Sequence, residues 1–226
     1  MSAAVQPLNP SPPPANAGRR RLLMALGLCG LGVAACLTVD GVLRPNDGLL
    51  AQIRQWRGGH RPWPADGDAG VAASDRGKLA LFVLAGQSNM SGRGRVDSGV
   101  KISTRPVYVF GNDDRWHRAI EPVDNGWEQV DRVSLDVVVG VGPGQRFGER
   151  WSELNAGQPV GLIPCAMGGS TIENWQRDER ASALYGSMLR RCRAAAAEGE
   201  IRGVLFFQGE SDAVGDRGER WGELFL

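Results

Sequence analysis

The sequence predicts an α/β fold, a parallel sheet covered by helices on both faces. Three observations carry that expectation. Short, continuously apolar runs recur between residues 78 and 226, as strands buried on both faces do. Between them lie longer segments whose apolar residues repeat at helical spacing. Strand and helix signals also alternate, the order that builds parallel sheets through crossovers.

Each element has its own signal. Leu79–Ala85 is an unbroken apolar run and reads as the first strand. Val107–Phe110 reads as a second, and Asp136–Val139, just before a run of glycines, as a third. Phe147, Trp151 and Leu154 share one helical face while Glu149, Arg150 and Glu153 share the other, predicting an amphipathic helix from Pro143 to Asn155. Pro159–Pro164 reads as a strand. Over Ala181–Glu198, Leu184, Met188, Cys192 and Ala195 fall on one face of a helix. Ile201–Phe207 reads as another buried strand, and a last helix from near Asp216 carries Trp221, Leu224 and Phe225.

The segment before this domain is different in kind. Residues 1–21 are rich in Pro, Ala and Asn and end in Arg19-Arg20-Arg21; their composition predicts a disordered basic N-terminus. Residues 22–39 are uncharged and apolar, about long enough to cross a bilayer. Behind an arginine cluster they read as a retained signal anchor, with a cleaved signal peptide or a lipoprotein (Val33-Ala34-Ala35-Cys36) as the alternatives. The arginines should stay cytoplasmic. The domain is therefore expected outside the cytoplasm, periplasmic or secreted, and tethered to a membrane. Residues 40–77 read as a connector, with a short amphipathic helix at Leu49, Leu50, Ile53 and Trp56 and then a Gly/Pro-rich linker.

Composition excludes several classes. The chain of 226 residues has a formal net charge of +1, so nothing points to nucleic acid. Its four cysteines form no CxxC or Cys/His cluster, which argues against a structural zinc site. Cys165 and Cys192 read as buried free thiols. Gly92 and Gly94 follow a strand closely, but position 97 is Asp97, so the G-x-G-x-x-G pattern fails, and no Walker A sequence exists. No cofactor or metal is expected.

In parallel sheets, ligands bind at the carboxyl ends of the strands. Three polar segments follow strands: GQSNMSG after Ala85, CAMGGSTIENW after Pro164 and QGESDA after Phe207. Taken singly, each has an ordinary explanation. Ser88 can be a helix cap, Gly168-Gly169 a turn, and Glu210 and Asp212 solvated charges. Taken together they converge at one edge. A serine there becomes a nucleophile if a base removes its proton and if donors face the developing oxyanion. A backbone N–H at the strand-to-helix turn, another at Gly168 or Gly169, and the Gln208 amide are the available donors.

The series Gly86-Gln87-Ser88-Asn89-Met90, Gly168-Gly169-Ser170 and Gln208-Gly209-Glu210-Ser211-Asp212 resembles the sialate O-acetylesterase-like branch of the SGNH hydrolases, which includes acetylxylan esterases. WHRAIEPVDNG at 116–126 and VGPGQRFGERW at 141–151 are similar to family segments in the same order. The resemblance covers residues 78–226. It implies a flavodoxin-like three-layer α/β/α sandwich with Ser88 as nucleophile. The oxyanion hole would be formed by the Ser88 N–H, Gly168 or Gly169, and Gln208. Gln87, Asn89, Ser170 and Glu210 would line the substrate pocket. The implied substrate is an O-acetylated carbohydrate or glycan, deacetylated through an acetyl-serine without a metal.

The family's base is a histidine in an Asp-x-x-His pattern. This chain has two histidines, His60 and His117, and no Asp-x-x-His. The resemblance thus implies an impaired esterase whose last strand and Asp-His loop are missing. The alternative is a non-catalytic, membrane-tethered carbohydrate-binding protein, with Trp127 and Trp175 as residues able to stack on sugar rings.

Overall fold

A computed structural model of the chain describes residues 60–65, 70–97, 99–131, 133–136 and 138–225, together with Leu49 and Ile53. The chain divides into two compact units, Met1–Ala51 and Gln52–Leu226, and the elements below belong to the second. Leu49 and Ile53 are helical and exposed; the other residues of the predicted connector helix, Leu50 and Trp56, lie outside the described residues. The apolar run 22–39 lies outside the described residues. Among those described, no helix is long and apolar enough to cross a membrane.

Five strands form one sheet: β1 (Leu79–Gly86), β2 (Val107–Phe110), β3 (Trp116–Arg118), β4 (Val160–Pro164) and β5 (Gly199–Phe207), in the order β3-β2-β4-β1-β5. β1, β2, β4 and β5 run parallel, and β3 pairs antiparallel with β2. Among the described residues from Lys78 on, the helices are α1 (Ser88–Ser91), α2 (Gly144–Leu154), α3 (Leu184–Ala195) and α4 (Arg217–Phe225), with 3₁₀ turns at Ile172–Trp175 and Ala196–Glu198.

Alternation along β1 divides the core in two. Leu79, Leu81, Val83 and Ala85 face Leu184, Cys192 and Ala195 of α3. Ala80, Phe82 and Leu84 face the other way, against Phe147 and Trp151 of α2. All eight residues of β1 are buried. Each large apolar side chain contributes about 1.5–3 kcal/mol by burial, so β1 is pinned at the centre and the start of α1 is fixed at its carboxyl end. Cys165 and Cys192 are buried free thiols. β5 pairs with β1 along its length but is not the buried strand that its apolar run predicts: it lies at the end of the strand order, none of its residues is buried, and Ile201, Val204 and Phe207 are exposed.

Two further expectations need correction. Asp136–Val139 is not a strand among the described residues. The Asp136 side chain accepts the Val138 N–H at 3.1 Å, and Arg93 donates to the Val138 carbonyl. Side chains thus take the backbone groups that a neighbouring strand would have used. Among the described residues, the ladder-like contact nearby is an isolated antiparallel bridge between Gly94 and Val141. β3 was not anticipated: its three residues are too short for a period to show. It forms because the chain folds back tightly, with the Gly111 N–H donating to the Arg115 carbonyl at 2.7 Å and Asp114 at φ 59.

Candidate active site

β1 and β5 end side by side, and Gly86 makes that possible. Its φ is +132, and a Cβ there would lie 2.1 Å from the Phe207 carbonyl oxygen. The next backbone N–H, of Gln87, donates to that same oxygen at 2.9 Å. Ser88 then opens α1, half-buried at the carboxyl edge of the sheet. No described residue takes a hydrogen bond from its hydroxyl.

The three sequence blocks meet here. The Gly86 carbonyl accepts the Met167 N–H at 2.9 Å and the Ser170 hydroxyl at 3.4 Å. Buried Gln87 reaches across β5: its Oε1 accepts from the Gly209 N–H at 3.3 Å, the Ser211 N–H at 3.2 Å and Gln208 Nε2 at 3.2 Å. Gln208 Nε2 also donates to the Ser170 carbonyl at 3.0 Å and to Asp212. Asp212 accepts the Ile172 N–H at 2.9 Å. At the exposed rim, Asn89 donates to Glu210.

The predicted residues therefore fall into three groups. Ser88, Gly168 and Gly169 offer backbone N–H groups that find no acceptor among the described residues. Asn89 and Glu210 form the rim. Gln87, Ser170 and Gln208 lie inside as braces. Ser170 is buried, with its hydroxyl accepting the Trp175 indole N–H at 3.0 Å. The Gln208 amide hydrogens are engaged by three protein acceptors, and its Oε1 accepts from Trp221. For Gln208 to face an oxyanion it must first release one of those bonds. Trp175 is a core residue, edge-on to Phe206 at 5.6 Å, whereas Trp127 is exposed.

The glycine pair has separate reasons at its two positions. Gly169 sits at φ +75 with open space where a side chain would project, so its backbone is accessible. A Cβ at Gly168 would lie 2.5 Å from Asp136 Oδ2 and 2.7 Å from Arg93 Nη2. Those two groups are the residues that sequence reasoning missed. Asp136 Oδ2 accepts from Ser91 of α1 at 2.6 Å and from Arg93 at 2.8 Å. This buried carboxylate thus binds the serine turn and packs against the glycine loop. Only its position between two glycine-rich segments hinted at such a role.

Behind the site the polar groups are buried. Burial pushes the Asp124 carboxyl up to about 7, with the Asn112 amide at 2.9 Å offsetting part of the rise. Burial likewise raises Glu121 to about 7, although it accepts the N–H groups of Gly142 and Val123. Arg191, 1 % exposed, ties two strand ends together. Its guanidinium donates to the Pro164 carbonyl at 3.0 Å, to Phe110 at 2.6 Å and to Gly111 at 3.1 Å.

Neither histidine bonds to Ser88. His117 is on β3, three strand positions from β1, a lateral distance of about 14 Å. It is buried, 2.9 Å from the Asp113 carboxylate and stacked on Trp63 at 4.1 Å. His60 Nε2 lies 3.1 Å from the Asp136 carbonyl oxygen. Among the described residues no cluster of His, Cys, Asp or Glu could hold a metal ion.

A mostly parallel α/β sheet with its polar loops gathered at one carboxyl edge defines an SGNH-like α/β/α fold. The chain belongs to the family described as carbohydrate esterase, sialic acid-specific acetylesterase, which residues 78–224 match. It is 37% identical over 151 residues to a probable carbohydrate esterase of Arabidopsis thaliana, covering 59% of this chain and 55% of that protein. The chain thus spans about half the length of the curated relative it matches. An X-ray structure of an Arabidopsis thaliana protein aligns with a TM-score of 0.53 at 30% identity, over 66% of this chain and 65% of the other. A carbohydrate acetylesterase from Xanthomonas citri aligns at 0.43 and 19% identity, over 65% and 36%.

Proposed function

We propose that Ser88 is the nucleophile of an esterase that removes O-acetyl groups from carbohydrates. The observation that carries this reading is the convergence of three distant loops on one half-buried serine flanked by uncommitted backbone N–H groups. Ser88 Oγ attacks the acetyl carbonyl. The N–H groups of Ser88 and of Gly168 or Gly169 receive the oxyanion. The bond from the acetyl carbon to the sugar oxygen breaks, that oxygen takes up the proton that the Ser88 hydroxyl gave up, and water then hydrolyses the acetyl-serine to acetic acid and the free serine. Asn89 and Glu210 meet the substrate at the rim, while Gln87, Ser170 and Gln208 hold the loops in place.

The base decides the rate. With no histidine against Ser88, these 226 residues alone should keep roughly the thousand- to ten-thousand-fold advantage over water that binding and an oxyanion hole supply. The same observation favours a second reading, a carbohydrate-binding protein without catalysis. Acetate release from a chromogenic acetate and from an acetylated glycan decides between them. An esterase releases acetate above background and Ser88→Ala abolishes it. A binding protein releases none and retains the glycan after that substitution. For location, Arg19–Arg21 before the apolar run 22–39 supports an extracytoplasmic, membrane-tethered domain. Recovery of the full chain in the cytoplasmic fraction would overturn that.

A further inference from the structure

On the α2 side of the sheet, opposite α3, a groove of about 650 Å³ opens between the loop that leads into β2 and one face of α2. Its volume falls in the range of small-molecule sites. None of its lining residues belongs to the three loops around Ser88. We propose that this groove is a second binding site, and that it takes a phosphate monoester. The inference does not depend on the Ser88 reading.

The loop wall supplies the first argument. Arg95, Lys101 and Arg105 line it, and among the described residues none of their charged groups has a hydrogen-bonded acceptor. The nearest carboxylate oxygen to Arg105 is that of Glu153 at 3.6 Å, beyond hydrogen-bond length. The α2 wall is different. Arg146 holds Glu149 at 2.6 Å and Arg150 holds Glu153 at 2.8 Å. One wall is already paired, and the other keeps three cationic donors for a ligand.

Charge is the second. The five cations of the two walls meet three exposed or half-buried carboxylates, Asp97, Glu149 and Glu153, and the buried Glu121. Asp97 is engaged by its own turn, accepting the Gly99 N–H at 2.8 Å. Burial raises Glu121 to about 7, so below that pH it is mostly protonated and the groove carries a net charge of +2. Arg118, behind the loop, donates to the Ser103 and Arg105 carbonyls at 2.7 Å and adds to the positive field. A concave surface of one sign focuses that field on its opening. A phosphate monoester brings a charge of about −1.5 to −2 and three strong acceptor oxygens, which match the surplus and the three unbound donors. A carboxylate brings half the charge and a single plane of acceptors.

The test is titration calorimetry on the full chain at low ionic strength and about pH 6.5, where the phosphate is mostly dianionic and Glu121 mostly protonated. The probes are glucose 6-phosphate, glucuronate and glucose. Glucose 6-phosphate should bind about tenfold or more tightly than either of the others. Dihexanoyl phosphatidic acid in the same titration separates the two sources of the monoester: tighter binding than glucose 6-phosphate assigns a lipid headgroup, weaker binding a soluble ester. Arg95→Glu and Lys101→Glu, both at exposed positions, should each weaken glucose 6-phosphate about tenfold without changing thermal unfolding. Arg202→Glu on β5 makes the same charge change away from the groove and should alter affinity by less than about twofold. Ser88→Ala should leave it unchanged. Glucuronate or glucose binding as tightly as glucose 6-phosphate overturns the proposal. So does affinity untouched by Arg95→Glu and Lys101→Glu, a loss as large in Arg202→Glu, or a loss in Ser88→Ala. Failure of the esterase reading shows separately, in the acetate-release assay.

Discussion

Replacing Gln87 by alanine isolates the contact that joins the serine turn to the loop after β5. Gln87 is 3% exposed, and its Oε1 accepts three hydrogen bonds, from Gly209, Ser211 and Gln208. A net contribution of about 0.5–1.5 kcal/mol per bond sums to about 1.5–4.5 kcal/mol. Gly209 and Ser211 are only half-buried, so water partly replaces the lost acceptor and the lower part of that range applies, about 1.5–3 kcal/mol. That corresponds to roughly a 10- to 150-fold increase in loop opening. Amide hydrogen exchange reads it directly. The Gly209 and Ser211 amides should exchange faster by that factor, while those of β4 stay as protected as before. Gln87→Glu keeps an acceptor oxygen and should show a much smaller change. Equal exchange at Gly209 and Ser211 in the parent and Gln87→Ala chains would refute the reasoning.

Other consequences follow from buried charge. Arg191→Leu leaves the carbonyls of Pro164, Phe110 and Gly111 without their donor and should cost about 3–5 kcal/mol by chemical denaturation; a loss under about 1 kcal/mol contradicts the account of how β2 and β4 are tied. Burial raises both Asp124 and Glu121 to about 7, well above their unfolded values of about 4. The folded chain then holds protons that the unfolded chain releases, so their stabilisation is complete below about pH 4 and is lost as pH rises through about 7. Asp113 and Asp131 act in the opposite sense: burial opposes it, but His117 and Arg190 respectively hold them below their ordinary values, and their contribution fades only as pH falls below about 4. The denaturation midpoint should therefore decline from about pH 5 to about pH 8, and Asp124→Asn should flatten the slope; a midpoint that rises over this range contradicts the assignment.

Most of the sheet was legible because β1, β2 and β4 are buried on both faces, while β5 shows the same apolar run although none of its residues is buried. Leu79–Ala85, Val107–Phe110, Pro159–Pro164 and Ile201–Phe207 all appear as strands within a residue or two, as do the helices at 144–154, 184–195 and 217–225. Burial leaves an apolar run that needs no tertiary knowledge to recognise. What misled was Asp136–Val139, where the apolar run is real but its backbone is satisfied by Asp136 and Arg93 side chains. At the site, composition and order pointed to three loops that the topology brings together. Which side chains face outward was not legible. Ser170 and Gln208 have the same polar character as Asn89 and Glu210, yet the first pair is turned inward by Trp175, Trp221 and Asp212. Orientation at a sheet edge is set by partners far along the chain, and no local pattern reports it. The Asp136–Ser91–Arg93 cluster was invisible for the same reason.

The central claim is that the hydroxyl of Ser88 is the reacting atom, and covalent trapping tests it most directly. The chain would be incubated with an activated acetyl ester, quenched in acid, digested and mapped by mass spectrometry, beside a control unfolded in denaturant. The account predicts an acetyl group on the peptide carrying Ser88 in the folded chain, strongly reduced in the unfolded one. Labelling of Ser88 no greater in the folded chain than in the unfolded control would contradict it.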